Sequence, residues 1–329
     1  MFAFILARIL QAIPVLLTVA GISFALFAYV GDPIAQMLGQ DFTLAQREAV
    51  VHALGLDQPL YVQYIKFVWS ALHGEFGLSY RLAKPVGTLI LERLPATMEL
   101  AFCAAMLALC IGVPLGVYTG IRRNGALARF IMILSLIGVS LPTFLIGILL
   151  ILIFAVLLGW LPSFGRGTLT VVAGYSTGLL SLSGLKALIL PAITLGLFQM
   201  TLIMRLVRAE MLEVLRSDYI KFARARGLST RAINFGHALK NTLVPVITVV
   251  GLQLGGLLAF SIVTETVFQW PGMGLLLVQS IAVADIPVMS TYLLLIAVLF
   301  VAINLTVDLL YYAVDPRLRL NRRSLTGRG

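Results

Sequence analysis

Six stretches of this chain contain no Asp, Glu, Lys or Arg: residues 9–31, 100–121, 130–165, 187–204, 241–264 and 286–307. About 20 apolar residues at 1.5 Å rise cross a hydrocarbon core of roughly 30 Å, so each stretch can hold a spanning helix. The composition agrees. Of 329 residues, 60% are hydrophobic and 12% are charged, too little polar surface to cover a soluble globule of this size. The expectation is an all-α integral membrane protein with six transmembrane helices.

The third stretch has room for a helix plus a mostly apolar loop, and Trp160, Pro162 and Gly165 put the helix end near 158. The first stretch follows Arg8, as a signal peptide would. It is too long for an ordinary signal core and ends in Gly31-Asp32-Pro33 without a small-residue cleavage pattern, so it reads as a retained helix.

Lysine and arginine give the orientation. Six crossings put both termini on one side, and that side carries Arg8, the cluster Arg122, Arg123 and Arg129, eight bases from Arg205 to Lys240 and five from Arg317 to Arg328. These make 17 of the 24 bases, and five of the remaining seven lie between 32 and 99, a region long enough to carry little topological weight. Both termini are therefore expected in the cytoplasm.

The stretch DYIKFARARGLSTRAINFGHALKNTLVP, residues 218–245, concentrates Lys221, Arg224, Arg226, Arg231 and Lys240. Such bases can simply fix topology and sit among anionic head groups. This stretch has more than charge: Asp218 to Arg226 reads as a helix, Gly227 as a left-handed stop, and Ser229 or Thr230 as the cap of a second helix. A helix, a turn and a second helix suit the docking of a protein.

The region 32–99 is also organised. Thr43 and Gln46 have capping-box spacing, Gly55 ends a short helix, and Tyr61, Ile65, Val68 and Leu72 recur at helical spacing after Pro59. Gly112, Gly116 and Gly120, and again Gly251 and Gly255, have the four-residue spacing of close helix packing, within the chain or at a seam with another subunit. Cys103 and Cys110 lie too far apart along one helix to join, and read as small buried residues.

Motifs for chemistry are missing. No phosphate-binding G-x-x-x-x-G-K-[ST], no H-E-x-x-H and no G-x-S-x-G occurs, and His52, His73 and His237 are scattered. Glu265 and Asp308 are the acids nearest the hydrocarbon, at interfacial depth, where an ion pair or a hydrated carboxylate is expected in preference to a proton relay. Two other classes stay open at this stage: a channel, with QWPGMG at 269–274 as its candidate filter, and an intramembrane enzyme, for which no nucleophile and base converge.

Several motifs together resemble one family: GDP at 31–33, LGLDQPL at 54–60, GEFGLS at 74–79, MLEVLRSDYI at 211–220, TETVFQWPGMG at 264–274 and NLTVDLLYYAVDPR at 304–317. With the 218–245 stretch they are similar to the permeases of bacterial ABC importers for dipeptides, oligopeptides and nickel, and within them to the first permease subunit, the DppB/OppB type. The generic coupling loop of such importers runs Glu-Ala-Ala, three residues, Gly. Here Lys221 and Phe222 stand in its first two places and only Ala223 and Gly227 match, a departure that resembles the peptide branch.

The resemblance implies a type I ABC importer permease fold in a bacterial cytoplasmic membrane. Its parts would be an N-terminal transmembrane helix over 1–31, an extracytoplasmic helical region over 32–99, a core permease domain over 100–313 with its coupling loop at about 209–242, and a basic cytoplasmic tail over 314–329. It implies a homologous second permease of the DppC/OppC type, two ATPases of the DppD/DppF type and an extracytoplasmic binding protein. Membrane lipid, and not nucleic acid, would be the other neighbour. The chain would bind no cofactor, ATP and Mg belonging to the ATPases, and would catalyse nothing itself. Asp218, Tyr219, Lys221, Ala223, Arg224, Arg226, Gly227 and Leu228 would couple to an ATPase. Glu265, Trp270, Pro271 and Gly272 form a candidate outer gate or partner contact. The expected cargo is a di- or oligopeptide, with nickel chelates, glutathione or another small solute as alternatives, and no substrate-binding residue can be named.

Overall fold

The computed structural model describes residues 2–29, 57–172 and 174–314, together with 43, 45, 48, 51 and 52. Its helices are α1 (Phe2–Tyr29), α2 (Leu60–Leu72), α3 (Val86–Ile121), α4 (Ala126–Ser140), α5 (Thr143–Leu150), α6 (Leu182–Val214), α7 (Asp218–Ala225), α8 (Leu239–Val267), α9 (Met273–Ala282) and α10 (Ile286–Val314). A π-helical stretch, Ile151–Leu157, continues α5, and a second, Ala232–Ala238, leads into α8. A small antiparallel hairpin of β1 (Thr170–Val172) and β2 (Tyr175–Thr177) interrupts the otherwise helical architecture.

Among the described residues, four helices are long and apolar enough to cross a membrane: most of α1, all of α3 and α6, and most of α10. Two bent pairs bring the candidates to six among the described residues, provided each pair is one span. The first, Ala126–Ser140 with Thr143–Leu157, turns through 109° and differs from the single helix expected over the third charge-free stretch. The cause is local. Leu141, at φ −91° and ψ 138°, is held extended by the ring of Pro142, which then opens the next helix. The expected end near 158 agrees with the last helical residue, Leu157.

The described chain forms two compact units. One contains the residues up to Thr97 and Pro271–Val301. Here Pro59 opens α2 as its sequence predicts, and the Tyr64 hydroxyl donates to the Leu17 carbonyl at 2.9 Å. The rings of Tyr64 and Phe67 flank Phe24, with centroids 5.7 and 5.9 Å away, so α2 lies along α1. Tyr61, Ile65 and Leu72 stay exposed. Gln46 and Gly55, on which the expected preceding helix depends, lie outside the described residues.

The start of α10 in this unit is tied down by an acid. Asp285 is buried and accepts hydrogen bonds from the Ser79 hydroxyl and from the N–H groups of Tyr80 and Arg81, at 3.2 and 3.4 Å. This closes the turn that the Leu78–Pro85 bridge begins. Burial, and after it the Asp285 charge, push the Tyr80 phenol up to about 12. The Met273 N–H donates to the Thr97 hydroxyl at 2.8 Å, fixing the first turn of α9 on α3.

The second unit contains Met98–Trp270 and the residues from Ala302 on. α3 approaches α6 closely there, through the glycine face expected from the sequence. A Cβ at Gly116 would stand 2.6 Å from the Val207 Cβ and 2.7 Å from the Met204 carbonyl oxygen. At Gly112 it would meet the Met200 carbonyl at 2.9 Å, and at Gly120 the Met211 Cβ at 2.8 Å. The repeat is therefore an internal seam. Gly251 likewise faces Val307 of α10. Cys103 and Cys110 are free, and Cys110 is exposed on this chain, which corrects its reading as a buried residue.

Because neither backbone nor Val207 can recede without opening this seam, Gly116→Val will destabilise the chain by about 1–3 kcal/mol or more. A lower unfolding temperature in detergent is the expected reading. Gly21→Ala, where a Cβ meets nothing within 4 Å, will leave that temperature unchanged or slightly raised.

Candidate functional site

Two groups of sequence-predicted residues lie towards the two ends of α8, and each is built differently. The first is the 209–242 loop. Asp218 in the first turn of α7 and Arg224 in its last complement the helix dipole, and the Lys221 ammonium reaches the Asp218 carboxylate at 2.8 Å. Only Ile220 and Ala223 of α7 are buried. They enter a core shared with Ala108 and Val117 of α3, Val207 and Met211 of α6, Ile233 and Ala238 of the second π-helical stretch, and Val246 of α8. Asp218, Tyr219, Lys221, Arg224, Arg226 and Leu228 all remain exposed, as does every residue from Arg224 to Arg231.

The helix ends as its glycine dictates. Gly227 has φ +76°, and its N–H bonds the Arg224 carbonyl at 2.9 Å while the Leu228 N–H reaches back to the Ala223 carbonyl at 3.3 Å. This pair is the Schellman arrangement, which needs a left-handed residue at its centre. Nothing lies within 4 Å of a Cβ added there, so the backbone angle alone selects glycine. Ser229 then accepts from the Ala232 N–H at 3.3 Å and starts the next helical stretch. Two further contacts set the exposed face: Arg226 lies over the Phe222 ring at 5.6 Å, and Asn241 at the start of α8 donates to the Tyr219 hydroxyl at 2.8 Å. The result is a short helix with a fixed back and a front of aromatic and basic side chains.

The second group is the turn after α8. Glu265 and Trp270 are both fully buried, and the Trp270 N–H closes the turn on the Glu265 carbonyl at 2.8 Å. Glu265 is therefore not a hydrated interfacial carboxylate, one of the two expectations for it. Pro271 and Gly272 begin the segment belonging to the other unit, where the Pro271 carbonyl accepts from Arg93 at 3.4 Å and Gly272 precedes the first turn of α9.

Sequence reasoning missed what holds Trp270. Arg166, in the loop after the first π-helical stretch, places its guanidinium 5.5 Å from the centre of the Trp270 ring and forms a buried ion pair with Glu99 of α3. Glu99 also accepts from the Gly178 N–H at 3.0 Å and the Thr177 hydroxyl at 3.4 Å, and Arg166 donates to the Ser176 carbonyl at 3.1 Å. The Gly165 N–H bonds the Phe268 carbonyl at 3.1 Å. One carboxylate thus fastens the loop, the hairpin and the turn together. A signal existed: Arg166 is the only base between Arg129 and Lys186, in a segment otherwise free of charge. Among the described residues no group of three or more His, Cys, Asp or Glu is placed to hold a metal ion.

Residues 112–320 match the family described as binding-protein-dependent transport system inner membrane component, and residues 1–101 match its N-terminal counterpart. The chain belongs to this family. The inner membrane component is 41% identical to the di/tripeptide transport system permease protein DppB of Pseudomonas aeruginosa, over 98% of this chain and all of the relative. It is 38% identical to the dipeptide transport system permease protein DppB of Escherichia coli K12, over 97% of this chain and 99% of the relative. Its fold is that of type I ABC importer permeases: an inward-facing structure of the MetNI methionine ABC transporter superposes with a TM-score of 0.56 at 22% identity, over 69% of this chain and 96% of the other.

The Glu99–Arg166 pair gives a sharp thermodynamic expectation. Glu99→Leu alone strands a buried guanidinium, at a cost of about 3–5 kcal/mol. Glu99→Leu combined with Arg166→Met removes both charges and will recover part of that loss. Unfolding temperatures of the two variants in detergent, compared with the parent and with Arg166→Met alone, will show this non-additivity.

Proposed function

We propose that this inner membrane component is the first of two homologous permeases that together form the pathway for ATP-driven uptake of di- or oligopeptides, handed over by an extracytoplasmic binding protein. Each bent pair counts as one span in this reading, giving six. The bases gathered at one end of those spans support a cytoplasmic position for both termini and for the 209–242 loop. In this reading 1–31 contains the first transmembrane helix, 32–99 is the extracytoplasmic region, 100–313 the core of the permease and 314–329 a cytoplasmic tail. The peptide cargo is supported by the near full-length likeness to relatives named for dipeptide and di/tripeptide transport.

The observation that carries the mechanism is the seat of α7. Ile220 and Ala223 sit in the same core as the long helices α3, α6 and α8, while Tyr219, Lys221, Phe222, Arg224, Arg226 and Leu228 point outward. A motif for topology alone has no use for a buried back, a Schellman turn and a capped restart. We therefore assign this helix to an ATPase cleft, with the ATPase supplying ATP, Mg and hydrolysis and this chain supplying no chemistry. Closure of the ATPases would displace α7, and the shared core would carry that displacement into the spans. At the other end the turn at Glu265, Trp270, Pro271 and Gly272 is assigned to closing the pathway and meeting the binding protein or the second permease.

Two experiments test this. In proteoliposomes containing the complete importer, Gly227→Val forces a β-branched residue into a left-handed angle, costs roughly 1 kcal/mol or more, and misaims α7. Peptide uptake will fall several-fold while assembly persists, and Gly227→Asn, which tolerates that angle, will retain most of it. Normal uptake and normal ATPase stimulation in Gly227→Val would reduce the loop to a topology signal. For orientation, Cys103 and Cys110 are replaced by serine and single cysteines introduced at the exposed positions Thr230 and Lys84. An impermeant thiol reagent applied to intact cells will label the cysteine at 84 and spare the one at 230, and the opposite pattern would reverse the orientation.

A further inference from the structure

The connection between Leu157 and Leu182 joins two spans, and its surface is unlike that of a water-exposed loop. Residues 158–185 contain one charged side chain, Arg166, and that one is buried against Glu99. What the segment presents instead is apolar. Trp160, Phe164, Val171, Tyr175, Leu180 and Leu182 are each between 60% and 73% exposed.

We propose that this connection, with the β1–β2 hairpin at its tip, dips into the boundary between head groups and acyl chains of the adjoining leaflet, where lipid covers it. The backbone is prepared for that environment. The hairpin pairs Thr170 with Thr177, Val171 with Ser176 and Val172 with Tyr175. At its base the Thr168 N–H donates to Ser183 Oγ at 3.0 Å, and the Ser181 hydroxyl donates to the Thr168 carbonyl. The peptide groups paired this way can leave water at little cost, the outer edges of the two-stranded hairpin keep to the water and head groups of the boundary, and the one charge the segment owns has been neutralised by a buried partner.

The distribution of exposed side chains favours lipid over a docked protein. Successive strand residues point to opposite faces, and both Val171 and Val172 are exposed, so the hairpin offers an apolar surface on each side. A docked protein would cover one face and leave the other in water. Lipid surrounds both. The surface is also continuous with that of the spans, through exposed Leu152, Val156 and Leu157 at one end and Leu185 and Ile189 at the other. Trp160 and Tyr175 are the side-chain types enriched at membrane interfaces, because an apolar ring and a polar edge suit that depth. The proposal rests on the membrane placement of the family, not on the coupling role of α7 or on which side is cytoplasmic.

The test is nitroxide accessibility in the complete importer, reconstituted in proteoliposomes. In the background lacking Cys103 and Cys110, spin labels are attached singly at Val171→Cys, Tyr175→Cys and Leu180→Cys, with Lys84→Cys, exposed and outside the coupling loop, as an aqueous control. Collision rates with oxygen, which concentrates in lipid, are compared with those of a water-soluble nickel chelate. Oxygen is expected to exceed nickel several-fold at all three sites, with the reverse at the control. Nickel-favoured collisions at 171, 175 and 180 would overturn the proposal by putting the hairpin in water. Low rates for both reagents at these sites, before or after adding the binding protein, would overturn it in favour of a protein partner. Phe164→Cys, outside the hairpin, gives the same reading if the strand variants fail to assemble: oxygen-favoured supports the dip, nickel-favoured or doubly protected rejects it. Uptake is measured alongside, so a failure of peptide transport is distinguishable from a failure of membrane contact.

Discussion

A peptide group placed in hydrocarbon has no water to bond, and this constraint organises the whole chain. It keeps the charge-free stretches helical over most of their described length and confines breaks to places where the freed groups are satisfied again. The sharp turn between α4 and α5 obeys it at Leu141–Pro142, since proline brings no donor of its own to the break. The two π-helical stretches obey it differently, lengthening the hydrogen-bonded ring without opening it. Buried carboxylates gather several donors each, with Glu99 serving Arg166, Thr177 and Gly178, and Asp285 serving Ser79, Tyr80 and Arg81.

With the backbone satisfied inside each helix, association between helices depends on close packing, because lipid tails are as apolar as leucine. Small residues therefore matter more here than large ones. Gly112, Gly116 and Gly120 bring α3 against the backbone of α6, and Gly196 brings α6 against the Ala104 carbonyl at what would be 2.8 Å from a Cβ. The same α3 and α6 contribute the wall against which Ile220 and Ala223 rest. The loop is thus packed into one core with α3, α6 and α8.

How much of this was legible in the sequence depended on the range of the interaction. The four unbroken candidate spans among the described residues, the start of α2 at Pro59, the reversal at Gly227 and the glycine face of α3 all follow from residues within one or two helical turns of each other, and each has its expected form. The break at Pro142 was missed, because the length of the apolar run suggested one helix, although the Leu-Pro pair inside it is the local signal for such a break. The Glu99–Arg166 and Ser79–Asp285 pairs were not, because 67 and 206 residues separate their members and no spacing rule reaches that far. Trp270 shows the intermediate case. Its position in a rigid turn could be read from Trp-Pro-Gly, but its complete burial under Arg166 depends on a loop a hundred residues away.

The mounting of α7 has a mechanical consequence. Ile220 and Ala223, three residues apart, touch the core along a line of about 4.5 Å parallel to the helix axis, and a rod resting on so short a line is free to rock sideways. The hydrogen bond between Tyr219 and Asn241 is a third support, set to one side of that line and anchored in α8. Three supports that are not collinear make a tripod, stiff against rocking in every direction. A load applied to the exposed face therefore divides between α8, through Asn241, and the wall of α3 and α6, through Ile220 and Ala223, so that little of it is spent in bending the loop.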